Sequence, residues 1–297
     1  MNPELAGAYA YCERLSQTHY ENFPVASRLL PRAMRPHIAA VYAFARIADD
    51  MADEGARPAR DRIADLDDWQ SRLDAAAGSE PLPREAHADV FVALRETIRA
   101  CRLPPGLFRD LLSAFRQDVT TTRYETWTDV LDYCRRSANP IGRLVLRIAG
   151  HQNAELDTAS DALCTALQLT NFWQDFAVDW QKGRLYLPAE TWEPPGARTE
   201  DLDGRPLTPP WRAALADAAA RTRALFGAGR PVCDGVGGRL RLELRATWLG
   251  GTRVLDKLEA VGFDVYTRRP TLTRTDAPGI LWRTLSWTRD PSMRTRG

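Results

Sequence analysis

Two pairs of aspartates define the chemistry this chain could perform. Asp175 and Asp179 stand four residues apart, and Asn171 and Gln168 precede Asp175 by four and seven positions. At 3.6 residues per turn these four polar side chains fall on one helical face. Leu169, Phe172, Trp173, Phe176 and Val178 cover the other faces. Far upstream, Asp49 and Asp53 repeat the spacing, with Arg46 one turn before Asp49 and Tyr42 one turn before Arg46. Asp50 and Glu54 form a parallel strip. Carboxylates one turn apart repel by a few tenths of a kcal/mol (~0.2–0.5) when exposed. A divalent cation would convert that repulsion into chelation. Either pair alone reads as a solvated acidic face. The repetition favours a site, as does the placing of acids at a helix C-terminus, where each exposed charge opposes the macrodipole by roughly 0.3–1 kcal/mol.

Two helices with facing aspartate pairs would form a cage of hard oxygen donors suited to Mg²⁺, which keeps several waters and bridges carboxylates to substrate phosphates. Arg46 and Arg184 would add positive charge beside a diphosphate. Apolar walls would shield a carbocation from water, and aromatic faces would stabilise it. This set of groups would ionise an allylic diphosphate.

The elements that must position these residues read as helices. Apolar spacing predicts helices over 3–18, 32–54, 61–77, 86–99 and 105–119. A further helix is expected over 129–149 with an irregularity at Asn139-Pro140, followed by 156–179, 211–227 and 235–261. His19 to Pro31 is broken by two prolines and is expected to be a loop with a short helix, and 183–210, which carries six, is expected to be a long irregular segment. No alternating strand pattern occurs. The expected architecture is all-α, one helical domain over 1–265 with an apolar cavity, followed by a partly irregular tail over 266–297. Within that tail, packing on the body is expected for Trp282, Leu285 and Trp287.

Composition excludes several classes. Forty basic and 39 acidic residues leave a net charge of +1, so no global charge favours nucleic acid. Five dispersed cysteines and four dispersed histidines argue against a zinc site or a disulfide framework and fit a reducing cytoplasm. No apolar run reaches spanning length, and no signal peptide is expected.

Three motifs in order, Y-A-F-A-R-x-x-D-D-x-x-D from Tyr42, Y-C-R-R-S-A-N-P-I-G from Tyr133, and Q-L-x-N-F-W-Q-D-x-x-x-D followed by G-R-L-Y-L-P from Gln168, resemble the squalene/phytoene synthase family, over about Leu15 to Val261. The resemblance implies the isoprenoid synthase helical bundle. It implies that Asp49, Asp53, Asp175 and Asp179 hold magnesium and that Arg46 and Arg184 contact diphosphate. Tyr133, Gln168 and Asn171 would line the reaction centre.

Three departures from the family pattern carry information. Where the family has H-S-K-S-F, this chain has His19-Tyr20-Glu21-Asn22-Phe23. Gln174 replaces the arginine usual before the second motif, and Ser137-Ala138-Asn139-Pro140 replaces a run of small residues. Fewer cations suggest one diphosphate rather than two, and Ser137 or Asn139 would suit holding a water. With these departures the chain resembles the bacterial, hopanoid-pathway branch of the family, and that resemblance implies Mg²⁺-dependent ionisation of presqualene diphosphate and capture by water, giving hydroxysqualene and pyrophosphate without NAD(P)H. No glycine-rich dinucleotide motif occurs. Enzymes that make the substrate and consume the product are the expected partners, and a water-insoluble product allows transient contact with the inner membrane surface. The alternatives are a presqualene diphosphate or phytoene synthase joining two prenyl diphosphates, and a non-catalytic assembly protein of the same fold.

Overall fold

The computed structural model describes residues 2–18, 29–53, 57–203 and 206–288. The loop His19–Phe23 and Glu54 lie outside the described residues. Thirteen α-helices are described: α1 (Pro3–Thr18), α2 (Arg35–Asp53), α3 (Ala59–Ala77), α4 (Ala88–Cys101), α5 (Pro105–Thr120), α6 (Trp127–Ser137), α7 (Asn139–Ile148), α8 (Ala154–Gln181), α9 (Ala189–Trp192), α10 (Pro209–Gly229), α11 (Val232–Gly235), α12 (Gly238–Ala260) and α13 (Ala277–Leu285). Among the described residues the only β pairing is an isolated parallel bridge between Arg123 and Leu185. The fold is all-α.

Contacts divide the chain into two compact units, one comprising 1–121 and 136–157, the other 122–135 and 158–297. In the first, α2 packs against α1, α3, α4, α5 and α7. Phe44 forms its centre: the ring meets Trp69 at 5.9 Å, Phe91 at 6.3 Å and Phe108 at 5.3 Å. The Trp69 indole N–H donates to the Phe44 carbonyl. Ile47, Ala48 and Ala52 continue the buried stripe of α2, which turns Tyr42, Arg46, Asp49 and Asp53 away from the core.

The second unit is built on α8, α10 and α12. Phe176 packs against Trp211 and Tyr266, and Trp173 donates to the Thr222 hydroxyl at 2.8 Å. Gly229 and Gly251 allow close helix approach, since a Cβ on Gly229 would meet the Leu163 backbone nitrogen at 2.6 Å. The stretch expected as a partly irregular tail contains α13, packed on α12. Trp287 packs on Trp248 at 5.3 Å, as expected, but Trp282 and Leu285 remain 72% and 64% exposed.

Asp276 anchors the start of α13. Its carboxylate accepts from the Thr273 N–H and hydroxyl, from Arg253 at 2.9 Å and from Lys257. Burial pushes its pKa up, but Lys257, the Thr273 N–H and Arg253 outweigh this and hold it well below the usual carboxylate range. A depressed folded pKa contributes stability above the unfolded value and loses it as pH falls. Stability should therefore be flat through neutrality and decline below about pH 4, the ordinary Asp range. Asp276→Asn should flatten that acid limb in denaturant melts. An unchanged limb would show that Asp276 has no part in it.

All five cysteines are free. Burial pushes the thiols of Cys12 and Cys233 up to about 12, which makes them poor nucleophiles and metal ligands.

Candidate active site

The first unit supplies the α2 ridge. Tyr42, Arg46 and Asp49 are half-buried and Asp53 is exposed. Arg46 reaches Asp50 at 2.5 Å and Asp49 at 3.5 Å. A single guanidinium thus offsets the crowding of acids in a helix end that carries no basic residue in its last turn. The same unit holds Ser137 and Asn139. Instead of one helix with an irregularity, α6 ends at Ser137 and α7 begins at Asn139, with Ala138 between them and Pro140 in the first turn of α7. Asn139 is 8% exposed. The Ser137 hydroxyl is buried and has no hydrogen-bond partner among the described residues.

The second unit supplies α8. Gln168, Asn171, Asp175 and Asp179 are all half-exposed, while Leu169, Phe172, Trp173 and Phe176 are buried. The helical period of the sequence is therefore realised as a polar stripe. After α8 the chain turns at Gly183, whose φ of +80° lies in the left-handed region. The Arg184 N–H returns to the Asp179 carbonyl and the Gly183 N–H to that of Trp180, a Schellman closure. Arg123 donates to the Gly183 carbonyl and lies 4.9 Å over the Trp180 ring. This turn fixes where half-buried Arg184 departs and starts the segment carrying Tyr186.

Tyr186 stacks on Phe172 at 3.8 Å with an interplanar angle of 3°. Tyr133 meets both rings, at 6.1 and 6.0 Å, and Tyr124 meets Tyr133 and Tyr186 at 5.8 Å. Tyr133, expected at the reaction centre, thus joins an aromatic wall whose Phe172 follows Asn171 directly. Tyr124 and the Phe172–Tyr186 stack were not singled out by sequence spacing. Only the G-R-L-Y-L-P motif gave a signal for Tyr186.

Gln174 acquires a specific role. It is 6% exposed, and its amide donates to the Pro270 carbonyl at 2.5 Å. The residue before that proline, Arg269, pairs with Asp175 at 2.5 Å. A guanidinium 94 residues further along the chain is thereby brought to Asp175, the neighbour of Gln174. The change to Gln174, expected to remove a cation, is thus accompanied by one at the next residue. Replacing Gln174 by leucine leaves the carbonyl of buried Pro270 without its donor, which should cost about 1–2 kcal/mol. A melting temperature lowered by roughly 2–8 °C would register it, and an unchanged one would show that the contact adds nothing.

The donor sets fit magnesium. Each helix offers two carboxylates one turn apart and half-exposed or exposed, with oxygen donors only. No group of three or more acidic, histidine or cysteine ligands occurs among the described residues. Waters and substrate phosphates would have to complete the coordination shell, as is usual for this ion.

Comparisons place this geometry among known proteins. The squalene/phytoene synthase family profile matches residues 16–276. The hydroxysqualene synthase of Zymomonas mobilis is 42% identical over 209 residues, covering 69% of this chain and 67% of that protein. The hydroxysqualene synthase of Rhodopseudomonas palustris is 37% identical over 249 residues, covering 83% and 82%. Among solved structures, the squalene synthase HpnC of Alicyclobacillus acidocaldarius superposes with a TM-score of 0.81 at 40% identity, covering 89% of this chain and 97% of that one. A dehydrosqualene synthase gives 0.84 at 23% identity, which speaks to the fold alone. With two aspartate stripes, an aromatic wall and a family match over most of its length, this chain is an enzyme that belongs to the squalene/phytoene synthase family.

Proposed function

We propose that the chain is a hydroxysqualene synthase acting on presqualene diphosphate. The observation that carries this reading is the α8 stripe of Gln168, Asn171, Asp175 and Asp179 beside the wall of Phe172, Tyr186 and Tyr133. It sets a diphosphate-compatible polar face next to an apolar, π-rich one. The names of the relatives at 37–42% identity support the same reading.

In this reading Asp49, Asp53, Asp175 and Asp179 hold Mg²⁺. When bound, the ion supplies Lewis-acid stabilisation of the departing pyrophosphate. Arg46, Arg184 and Arg269 neutralise diphosphate oxygens. The carbon–oxygen bond breaks with its electron pair leaving on pyrophosphate. Phe172, Tyr186 and Tyr133 present π faces to the carbocation. Water adds to the rearranged cation and loses a proton. No electrons are exchanged, so no nicotinamide is needed.

Ser137 and Asn139 position that water. The Ser137 hydroxyl already bears the cost of burial without a partner among the described residues, so Ser137→Ala should leave stability unchanged or raise it by up to about 1 kcal/mol. The same change should lower the share of alcohol among the products.

Incubation with presqualene diphosphate, Mg²⁺ and no NADPH should release pyrophosphate and yield hydroxysqualene by mass spectrometry. Presqualene diphosphate or squalene formed from farnesyl diphosphate by this protein alone would overturn the reading. Absence of pyrophosphate release would do so as well.

A further inference from the structure

The helix α13 lies on the surface of the second unit, and one of its faces has no partner among the described residues. Pro278, Leu281, Trp282 and Leu285 follow the i, i+3, i+4, i+7 spacing of a single stripe. Leu281, Trp282 and Leu285 are 61%, 72% and 64% exposed, the three most exposed large apolar side chains among the described residues. The opposite face is the packed one. Thr284 is buried, Ile280 is half-buried, and Trp287 just beyond the helix packs on Trp248. The exposed stripe is therefore not a fraying end. It belongs to a helix held in place by its other side and by the Asp276 anchor.

Charge around the stripe has one sign. From Arg268 to Thr288 the sequence carries Arg268, Arg274 and Arg283, besides the Arg269 that pairs with Asp175, against a single acid, Asp276. That acid is consumed by Arg253 and Lys257. Asp256, which faces α13 from α12, is paired with Arg223. Beside the stripe, a cavity of about 300 Å³ is lined by Arg230, Arg283, Ser286, Thr288 and the rings of Trp248 and Trp287. No carboxylate occurs among its described lining. A cationic, hydroxyl-bearing recess next to three protruding apolar side chains matches a phosphate-bearing headgroup attached to acyl chains. A tryptophan flanked by arginine is suited to the boundary between headgroups and hydrocarbon.

The area argues against a protein partner. A nine-residue helix is about 13 Å long. Its three exposed side chains offer a few hundred Å² at most, taking roughly 150–250 Å² for a large aromatic. A stable interface needs about 800 Å² from each partner. We propose that α13 and the Arg230–Arg283 recess form a docking surface for a bilayer containing anionic phospholipids. The surface would hold the enzyme at the membrane by shallow insertion of Leu281, Trp282 and Leu285. This inference goes beyond the reaction assigned above and does not depend on it.

The test is sedimentation of the full chain with vesicles of phosphatidylglycerol and phosphatidylcholine, and with phosphatidylcholine vesicles alone. Binding to the anionic vesicles should exceed binding to the neutral ones by at least tenfold and weaken as salt rises. The variant Leu281→Ser/Trp282→Ser/Leu285→Ser should lose binding at least tenfold while keeping the wild-type melting temperature and circular dichroism. Arg283→Glu should lose the preference for anionic vesicles. Equal binding by the triple variant would overturn the proposal. So would no vesicle binding by the wild type, or a wild-type dimer that the triple variant splits without any change in vesicle binding.

Discussion

Asp175→Asn and Asp49→Asn should each lower kcat/KM on presqualene diphosphate by about 10³-fold, with little effect on folding. Loss of one carboxylate from a two-carboxylate metal site removes part of a Lewis-acid contribution worth several kcal/mol. A thousandfold loss corresponds to about 4 kcal/mol. Both side chains are half-exposed, so the folded state should tolerate the amide. Asp175 also pairs with Arg269, but a partly exposed ion pair contributes only about 0–1 kcal/mol. Melting temperatures should therefore fall by no more than about 4 °C. The concentration of Mg²⁺ for half-maximal rate should rise in both variants, a change that a merely structural role would not produce. Arg269→Ala should lower the melting temperature no more than Asp175→Asn does, which isolates the ion pair's share of stability. If both aspartate variants keep activity within about threefold of wild type, the two stripes are solvated acidic faces and the proposed roles are wrong.

The residues behind this prediction were legible in the sequence because their signal is local. An i, i+4 pair of aspartates on a helix needs only the helical period to define a face, and all four residues of the predicted stripe on α8 are half-exposed. The helices were legible for the same reason, although their ends moved. The start of α2 lies at Arg35 rather than Arg32, because Pro36 belongs in a first turn, where its missing N–H is not needed. The break at Ala138 was blurred, since the apolar spacing of α6 continues into α7 in the sequence and only the proline marks the change. The helix α13 was hidden by the prolines, threonines and arginines around it. Its own stripe was visible, but a nine-residue helix depends on docking rather than propensity. Arg269 could not be read at all. Its pairing with Asp175 stands beside the Gln174–Pro270 hydrogen bond, and no spacing rule links positions 94 residues apart.

Gly229→Ala should produce the largest stability loss of any single methyl added to a helix of the second unit. The new Cβ would lie 2.6 Å from the Leu163 nitrogen, 2.8 Å from its Cα and 2.9 Å from its Cβ. Two of these atoms are backbone, so no rotamer change relieves the contact. The C-terminal end of α10 or the body of α8 must move instead. Overpacking of this kind costs about 1–3 kcal/mol, a fall in melting temperature of roughly 2–12 °C. Leu163 lies on the same helix as Asp175, twelve residues earlier. A displacement of α8 would carry the polar stripe with it, and misplacement by about 1 Å can reduce rate on the order of a hundredfold. A shift of a few tenths of an ångström should therefore lower kcat several-fold. Gly227 provides the comparison within the same helix. It is exposed, and a Cβ there meets nothing within 4 Å. Gly227→Ala should be neutral or stabilising by about 0.5–1 kcal/mol, because alanine is the better helix former. Equal melting temperatures for the two variants would mean that α10 and α8 can separate freely at Gly229. The second aspartate pair would then owe its position to other contacts.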